Sequence, residues 1–278
     1  MSTEIAASEP VLLVEDVGPV RRLTMNRPKQ LNALSGELIG ALSAALDAAA
    51  ADDAVRVLIL RGAGRAFCAG YDLNEDAGAG AKDSAGWYGE LKHSADEMLK
   101  FFDFPKPVIA QVHSYCLAGG CDLMMICDLT VCSDDARFGE PEIRFGSGVV
   151  TMVMPWVIGV RKAKEFLFTG EDRIDAQEAL RIGLVNKVVP AGELDEATMA
   201  LAEEIAKNDP FAIAMQKKAI NKMWEGAGFR EAIAANVALD TMIEAADLPE
   251  REEFRKITLA QGLKKAIEWR DARFRENR

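Results

Sequence analysis

Apolar residues in this chain follow short strand-like runs first and helical spacing later. Val11-Leu12-Leu13-Val14 and Val20-Arg21-Arg22-Leu23-Thr24-Met25 flank Gly18-Pro19, the pattern of two strands joined by a tight turn, and Asn26-Arg27-Pro28 ends the second. Ser35 stands in capping position before Leu38, Ile39, Leu42 and Leu46, a helical stripe running to about Ala50. The run from Val55 to Leu60 predicts a buried strand. Residues 75–87, rich in Ala, Gly and Asp, predict a surface loop, and a helix follows over about Tyr88–Phe102 until Pro105 and Pro107 stop it. Val108–Val112 predicts another strand, Gly119 to about Ile126 a helix, and Asp128–Ser133 a further strand. The recurring order of strand, small-residue turn, helix and strand requires parallel pairing with right-handed crossovers.

After Arg161 the pattern becomes helical, interrupted by Ile182–Pro190. Helices are predicted at about 193–207, 210–225, 228–246, 250–257 and 261–270, with Ile233, Val237, Asp240 and Met242-Ile243 forming a packing face. The expected class is α/β, with a core over residues 1–195 and a helical region over 196–278.

Composition narrows the functional classes. The 278 residues are 49% hydrophobic and 28% charged, a globular mixture. A net charge of −11 argues against nucleic acid or an anionic membrane as a partner. No apolar stretch reaches spanning length, and Met1–Pro10 is polar and acidic, unlike a signal peptide, so a cytoplasmic location is expected. The five cysteines, at 68, 116, 121, 127 and 132, never form Cys-x-x-Cys and lie in or beside apolar segments. They are expected to act as small hydrophobes, and no metal site is expected. Of the two histidines, His93 falls in a polar helical stretch and only His113, at a strand end, lies near candidate chemistry. Gly62-Ala63-Gly64 follows a strand, but Phe67 stands where a dinucleotide fingerprint needs its third glycine.

Two turns carry the chemistry. Ala66-Phe67-Cys68-Ala69-Gly70-Tyr71-Asp72-Leu73 and Tyr115-Cys116-Leu117-Ala118-Gly119-Gly120-Cys121-Asp122 each follow a strand and open a helix. Such turns present unpaired backbone N–H groups at the positive end of a helix dipole. Two of them converging on one oxygen form an oxyanion hole. Glu142, in Phe138-Gly139-Glu140-Pro141-Glu142-Ile143, adds a carboxylate able to move a proton. The combination predicts chemistry on a polarised carbonyl.

These residues resemble the crotonase superfamily, the enoyl-CoA hydratase/isomerase family. The matching pieces also include Leu23-Thr24-Met25-Asn26-Arg27-Pro28, Asn32-Ala33-Leu34, Ala136–Glu142, Phe168-Thr169-Gly170 and Gly183-Leu184-Val185, in family order. The resemblance implies a spiral of ββα units followed by a helical trimerisation region, so a homotrimer or dimer of trimers is expected. It implies an acyl-CoA thioester substrate, with coenzyme A entering only as part of that substrate and no separate cofactor. By motif position, the enolate oxygen would be held by the N–H groups of Tyr71 and Gly119. Coenzyme A would run past Ala33, Ala69, Gly70, Asp72 and Leu73, with Arg27 and Lys29 at its phosphates and Lys264 and Lys265 as further contacts.

Two departures stand out. Hydratases of the family pair two glutamates on one water; here Glu142 occupies one place and Asp122, a methylene shorter, the other. Dienoyl-CoA isomerases pair Asp with Glu but add a third carboxylate where this chain has Val150. The loop after Glu142 reads Gly146-Ser147-Gly148-Val149-Val150-Thr151-Met152-Val153-Met154 rather than Pro-Gly-x-Gly-Gly, which predicts an apolar, reshaped acyl pocket. The expected activity is hydration of an α,β-unsaturated acyl-CoA. Double-bond isomerisation and catalytically weak CoA-ester binding are the alternatives.

Overall fold

The computed structural model describes residues 9–78 and 82–275. Most of the Met1–Pro10 segment lies outside the described residues, as does the middle of the predicted 75–87 loop.

Strand β1 (Leu12–Val17) pairs antiparallel with β2 (Val20–Met25) across Gly18-Pro19, and Gly18 has φ 57°. Helix α1 (Gly36–Ala51) starts where Ser35 Oγ accepts the Leu38 N–H at 3.2 Å, a cap worth about 1 kcal/mol. Its stripe of Leu38, Leu42, Leu46 and Ala49 is buried. Three strand pairs then repeat one plan: β3 (Val57–Gly62) with β4 (Ala66–Cys68), β5 (Val108–Val112) with β6 (Tyr115–Leu117), and β7 (Leu129–Ser133) with β8 (Arg137–Gly139). The first strand of each pair joins a six-stranded sheet of order β1-β2-β3-β5-β7 closed by β10 (Lys187–Val189). The second joins a four-stranded sheet of order β4-β6-β8 closed by β9 (Ile174–Asp175). Apart from β1–β2 and β8–β9, all pairs are parallel. This is the expected α/β spiral of ββα units.

The 75–87 expectation needs correction. Helix α2 (Leu73–Gly78) occupies its beginning, and α3 (Ser84–Asp103) starts before Tyr88 because Asp83 Oδ1 caps the Gly86 N–H at 2.8 Å. Helix α4 (Gly119–Ile126) lies where the sequence places it. The helices α5 (Met154–Ile158), α6 (Val160–Thr169) and α7 (Ala176–Arg181) follow the small sheet.

The chain ends in α8 (Leu194–Ala206), α9 (Pro210–Gly226), α10 (Phe229–Glu244), α11 (Pro249–Gln261) and α12 (Leu263–Arg275). Helix α8 lays Leu194 and Ala202 against Val57, Ile59, Ile109 and Val131 of the large sheet. On the opposite face, Leu58, Leu60 and Phe67 share the main core with α1, α3, α4 and α10. On α10, Ile233, Val237 and Asp240 are buried as expected, whereas Met242 is 70% exposed. No helix among the described residues is long and apolar enough to cross a membrane.

Candidate active site

The small sheet gathers the candidate residues. Strands β4, β6 and β8 are parallel neighbours, so their carboxyl ends lie side by side at about 4.8 Å spacing. Tyr71 follows β4, Gly119 follows β6 and Glu142 follows β8. Three short strands thus bring together residues far apart in sequence.

The turn geometry frees the two expected amides. Leu34 N donates to Gly70 O at 2.8 Å, and Asp72 N donates to Leu34 O at 3.1 Å. In this parallel bridge Leu34 takes both bonds, so the Tyr71 N–H points away from it. Gly119 opens α4, whose first bonded amides are Cys121 N and Asp122 N, both reaching Ala118 O. The turns touch: a Cβ on Gly70 (φ 96°) would fall 2.5 Å from Ala118 Cβ and 3.3 Å from Gly119 N. A Cβ on Gly119 would fall 2.6 Å from Tyr71 Cε2. Glycine is needed at both places because the chains approach too closely for a side chain.

Asp122 lies three residues into α4, hence on the same helix side as Gly119. Its Oδ2 accepts the Thr151 N–H at 3.2 Å, so it does not serve to cap its own helix. Glu142 does not pair with Arg144; that guanidinium meets Asp172 at 3.0 Å. Asp122 is 1% and Glu142 9% exposed, and Asp122 Oδ1 and Glu142 Oε2 have no hydrogen-bond partner among the described residues. Burial pushes the Asp122 carboxyl well above its ordinary range, and the nearby Glu142 adds to the shift. Burial also raises Glu142, to about 7, against the opposing pull of hydrogen bonding and of Arg270. Buried carboxyls this close cannot all ionise, so the site holds a proton near neutral pH.

Two further acids, not assigned roles from the sequence, belong to the same cluster. Glu140 is 1% exposed and lies against Glu142, and burial followed by Glu142 raises its carboxyl well above the usual value. Asp240, from α10, is 2% exposed, with both oxygens unpartnered; burial and then Glu244 raise it to about 7. Tyr71 Oη and Thr151 Oγ1 are buried close to one another without a bond of good geometry among the described residues. Burial, then Asp122, raises the Tyr71 phenol, with Ser94 and Thr151 nearby. Each unmatched polar group costs about 1–3 kcal/mol, a concentration expected where a ligand or water supplies the missing bonds. The 146–154 segment predicted to be apolar carries polar groups as well: Val149, Val153 and Met154 are buried, but so are Thr151 and Asp240, which meets the segment at Gly148.

The residues expected along coenzyme A form one connected edge. Asn32, fully buried at φ 55°, donates from Nδ2 to Ala63 O, Ala66 O and Phe67 O and accepts the Arg27 N–H. Ala69 N donates to Leu31 O at 3.1 Å. Arg27 binds Asp72 at 2.7 Å and donates to Ala33 O at 2.5 Å, so its guanidinium braces the edge. Lys29 is exposed, as are Lys264 and Lys265, and Lys265 meets Glu268 at 2.7 Å. Leu73 packs against Phe145, Phe254 and Ala266. His113 Nε2 bonds Gly64 O, outside the carboxyl cluster. All five cysteines are free and buried. No group of three or more His, Cys, Asp or Glu able to hold a metal occurs among the described residues.

Comparisons with known proteins converge on the same family. The enoyl-CoA hydratase/isomerase family model matches residues 16–277. The short-chain-enoyl-CoA hydratase of Clostridium acetobutylicum is 37% identical over 217 residues, covering 76% of this chain and 81% of that protein. The 2,3-dehydroadipyl-CoA hydratase of Escherichia coli is 34% identical over 245 residues, covering 85% and 91%. A crystal structure of an enoyl-CoA hydratase/isomerase from Xanthobacter autotrophicus Py2 superposes with a TM-score of 0.92 at 41% identity, covering 95% of this chain and 98% of that one. The chain belongs to the enoyl-CoA hydratase/isomerase family, the crotonase superfamily.

Proposed function

We propose that this enzyme adds water across the double bond of an α,β-unsaturated acyl-CoA. The observation that carries the reading is the meeting of two unpaired turn amides, Tyr71 N–H and Gly119 N–H, with the buried acids Asp122 and Glu142 at the ends of β4, β6 and β8. The amides would hold the thioester oxygen as it gains enolate charge. Asp122 and Glu142 share one proton: Asp122 would take a proton from the water whose oxygen bonds the β-carbon, and Glu142 would deliver one to the α-carbon. Proton exchange between the neighbouring acids then resets the site, and the balance is one water added. Relatives named as hydratases support the reaction class, and their names span different acyl groups.

Coenzyme A would lie along the edge formed by Ala33, Ala69, Gly70, Asp72 and Leu73, with Lys29 at a phosphate. Helices α9 and α10 expose Phe211, Ile220, Met223, Leu239 and Met242, an apolar surface that a trimer, alone or paired as a hexamer, would cover. We place the reaction in the cytoplasm, where five unpaired thiols stay reduced. Incubation with enoyl-CoAs in oxygen-18 water, followed by mass spectrometry, tests the activity. Label in a 3-hydroxyacyl product supports hydration; rearrangement without label, or binding without turnover, overturns it.

A further inference from the structure

Asp240 has no part in the hydration steps above, yet it is built into the same site. Asn236, Asp240 and Glu244 share one face of α10, and that face lies on the segment 146–151. Asn236 Nδ2 donates to Val149 O at 2.8 Å and to Val150 O at 3.1 Å. Glu244 Oε1 accepts the Gly148 N–H at 3.2 Å and the Ser147 hydroxyl. Asp240, one turn from each, is held between these anchors. A Cβ on Gly148 would fall 1.9 Å from Asp240 Oδ1, so backbone and carboxyl meet at a distance that only glycine permits.

Both Asp240 oxygens lack a hydrogen-bond partner among the described residues, and the residue is 2% exposed. The nearby cation, Arg251, gives its terminal N–H groups to Gly146 O, Ile243 O and Glu244 O and pairs with the Glu244 side chain, while its Nε makes no hydrogen bond to Asp240. The segment that meets Asp240 at Gly148 also gives the Thr151 N–H to Asp122, so Asp240 and the acid pair border the same stretch of chain. In the hydration steps above, Glu142 and Asp122 serve the α- and β-carbons. On that reading, the part of the acyl chain past the β-carbon is left to face Asp240. An alkyl tail would leave the Asp240 oxygens unmatched. A carboxylate tail would add negative charge to a cluster of acids. A neutral hydroxyl supplies the missing donor.

We propose that Asp240 is a specificity-determining residue of the acyl pocket, accepting a hydrogen bond from a hydroxyl group carried on the substrate acyl chain beyond the β-carbon. The inference rests on the hydratase reading for the placement of the chain. The test uses trans-2-enoyl-CoAs of equal length, with and without one hydroxyl at successive positions from the γ-carbon outward. A site built to bond a hydroxyl discriminates strongly against the analogue lacking it. At least one hydroxylated thioester should exceed its plain counterpart about tenfold or more in kcat/KM, and Asp240→Val should reduce that ratio about tenfold. Asp240→Asn, which keeps one acceptor oxygen, should fall between. A parent enzyme with no preference for any hydroxylated thioester, or variants that keep the parental ratio, would overturn the proposal. Should the valine variant fail to fold, the parental panel and the asparagine variant decide. Should the parent turn over no enoyl-CoA, the hydratase reading fails, and Asp240 is judged by calorimetry with saturated acyl-CoAs. Tighter binding of a hydroxylated ester that is reduced in Asp240→Asn and lost in Asp240→Val upholds it, and equal affinities overturn it.

Discussion

Replacing Gly119 by alanine tests whether the two turns work as one device. The new Cβ would stand 2.6 Å from Tyr71 Cε2 and 2.7 Å from Cδ2. Carbon atoms rest about 3.5–4.0 Å apart, so ring and helix start must separate by about 1 Å. Gly119 opens a helix and has no positive φ, so alanine carries no backbone penalty and the effect reports the collision alone. Overpacking of this kind costs about 1–3 kcal/mol of stability, which leaves the protein folded. The rate should suffer more. Tyr71 holds the ring and one oxyanion donor, Gly119 is the other donor, and a shift of about 1 Å at such a site lowers the rate about 10²-fold. The assay is kcat for loss of the enoyl thioester, with circular dichroism and Tm on the same samples. Tyr71→Ala removes the ring but keeps the amide, so Gly119→Ala made in that background should cost less than about tenfold. A folded Gly119→Ala enzyme with parental kcat, or equal losses in both backgrounds, would refute the coupling.

Other outcomes follow from the same geometry. Glu142→Gln should bind acyl-CoA normally in calorimetry while kcat falls about 10²–10⁴-fold. The pH profile of kcat/KM should be bell-shaped, because the acids must carry one proton between them, and Asp122→Asn should remove a limb as well as lower the rate. Asp240, with Glu244, Arg251, Asp122 and Glu142 as charged neighbours, is raised from 3.8 to about 7. Between about pH 4 and 7 the folded protein therefore keeps a proton that the unfolded chain has released, and stability falls as pH rises through that window. The shift sets an upper bound of about 4 kcal/mol, and denaturant titrations at pH 5 and pH 8 should differ less for Asp240→Asn than for the parent. Gly40→Ala, inside α1 with nothing within 4 Å of the new Cβ, should add about 1 kcal/mol of stability and leave turnover unchanged.

Much of the fold was legible because period and turn chemistry agree. The Gly18-Pro19 hairpin, the capped stripe of α1 and the apolar strands β3 and β5 all carry local signals strong enough to survive packing. Helix α2 and the first turn of α3 escaped notice because Ala, Gly and Asp suggest a loop and the deciding cap is one side chain, Asp83. Strands β4, β6 and β8 have three residues each, too few for a period. They escape a sequence reading, in which the stretches 66–73 and 115–122 look like turns directly after β3 and β5. Asp122 and Glu142 could be found beside those turns. Asp240 was read as part of a packing face because its meaning depends on register: Asn236 and Glu244 fix α10 over the 146–151 segment, and no local pattern encodes that contact. Arg27 adds contacts that the motif does not encode, an ion pair with Asp72 and a bond to Ala33 O.

The central claim is that the amides of Tyr71 and Gly119 receive the thioester oxygen beside Asp122 and Glu142. A crystal structure with a bound 3-hydroxyacyl-CoA measures this directly. The account predicts the thioester oxygen about 2.7–3.1 Å from both nitrogens, with the α-carbon facing Glu142 and the 3-hydroxyl facing Asp122. A thioester oxygen out of reach of either amide, or an acyl chain leading away from the carboxyl cluster, would contradict it.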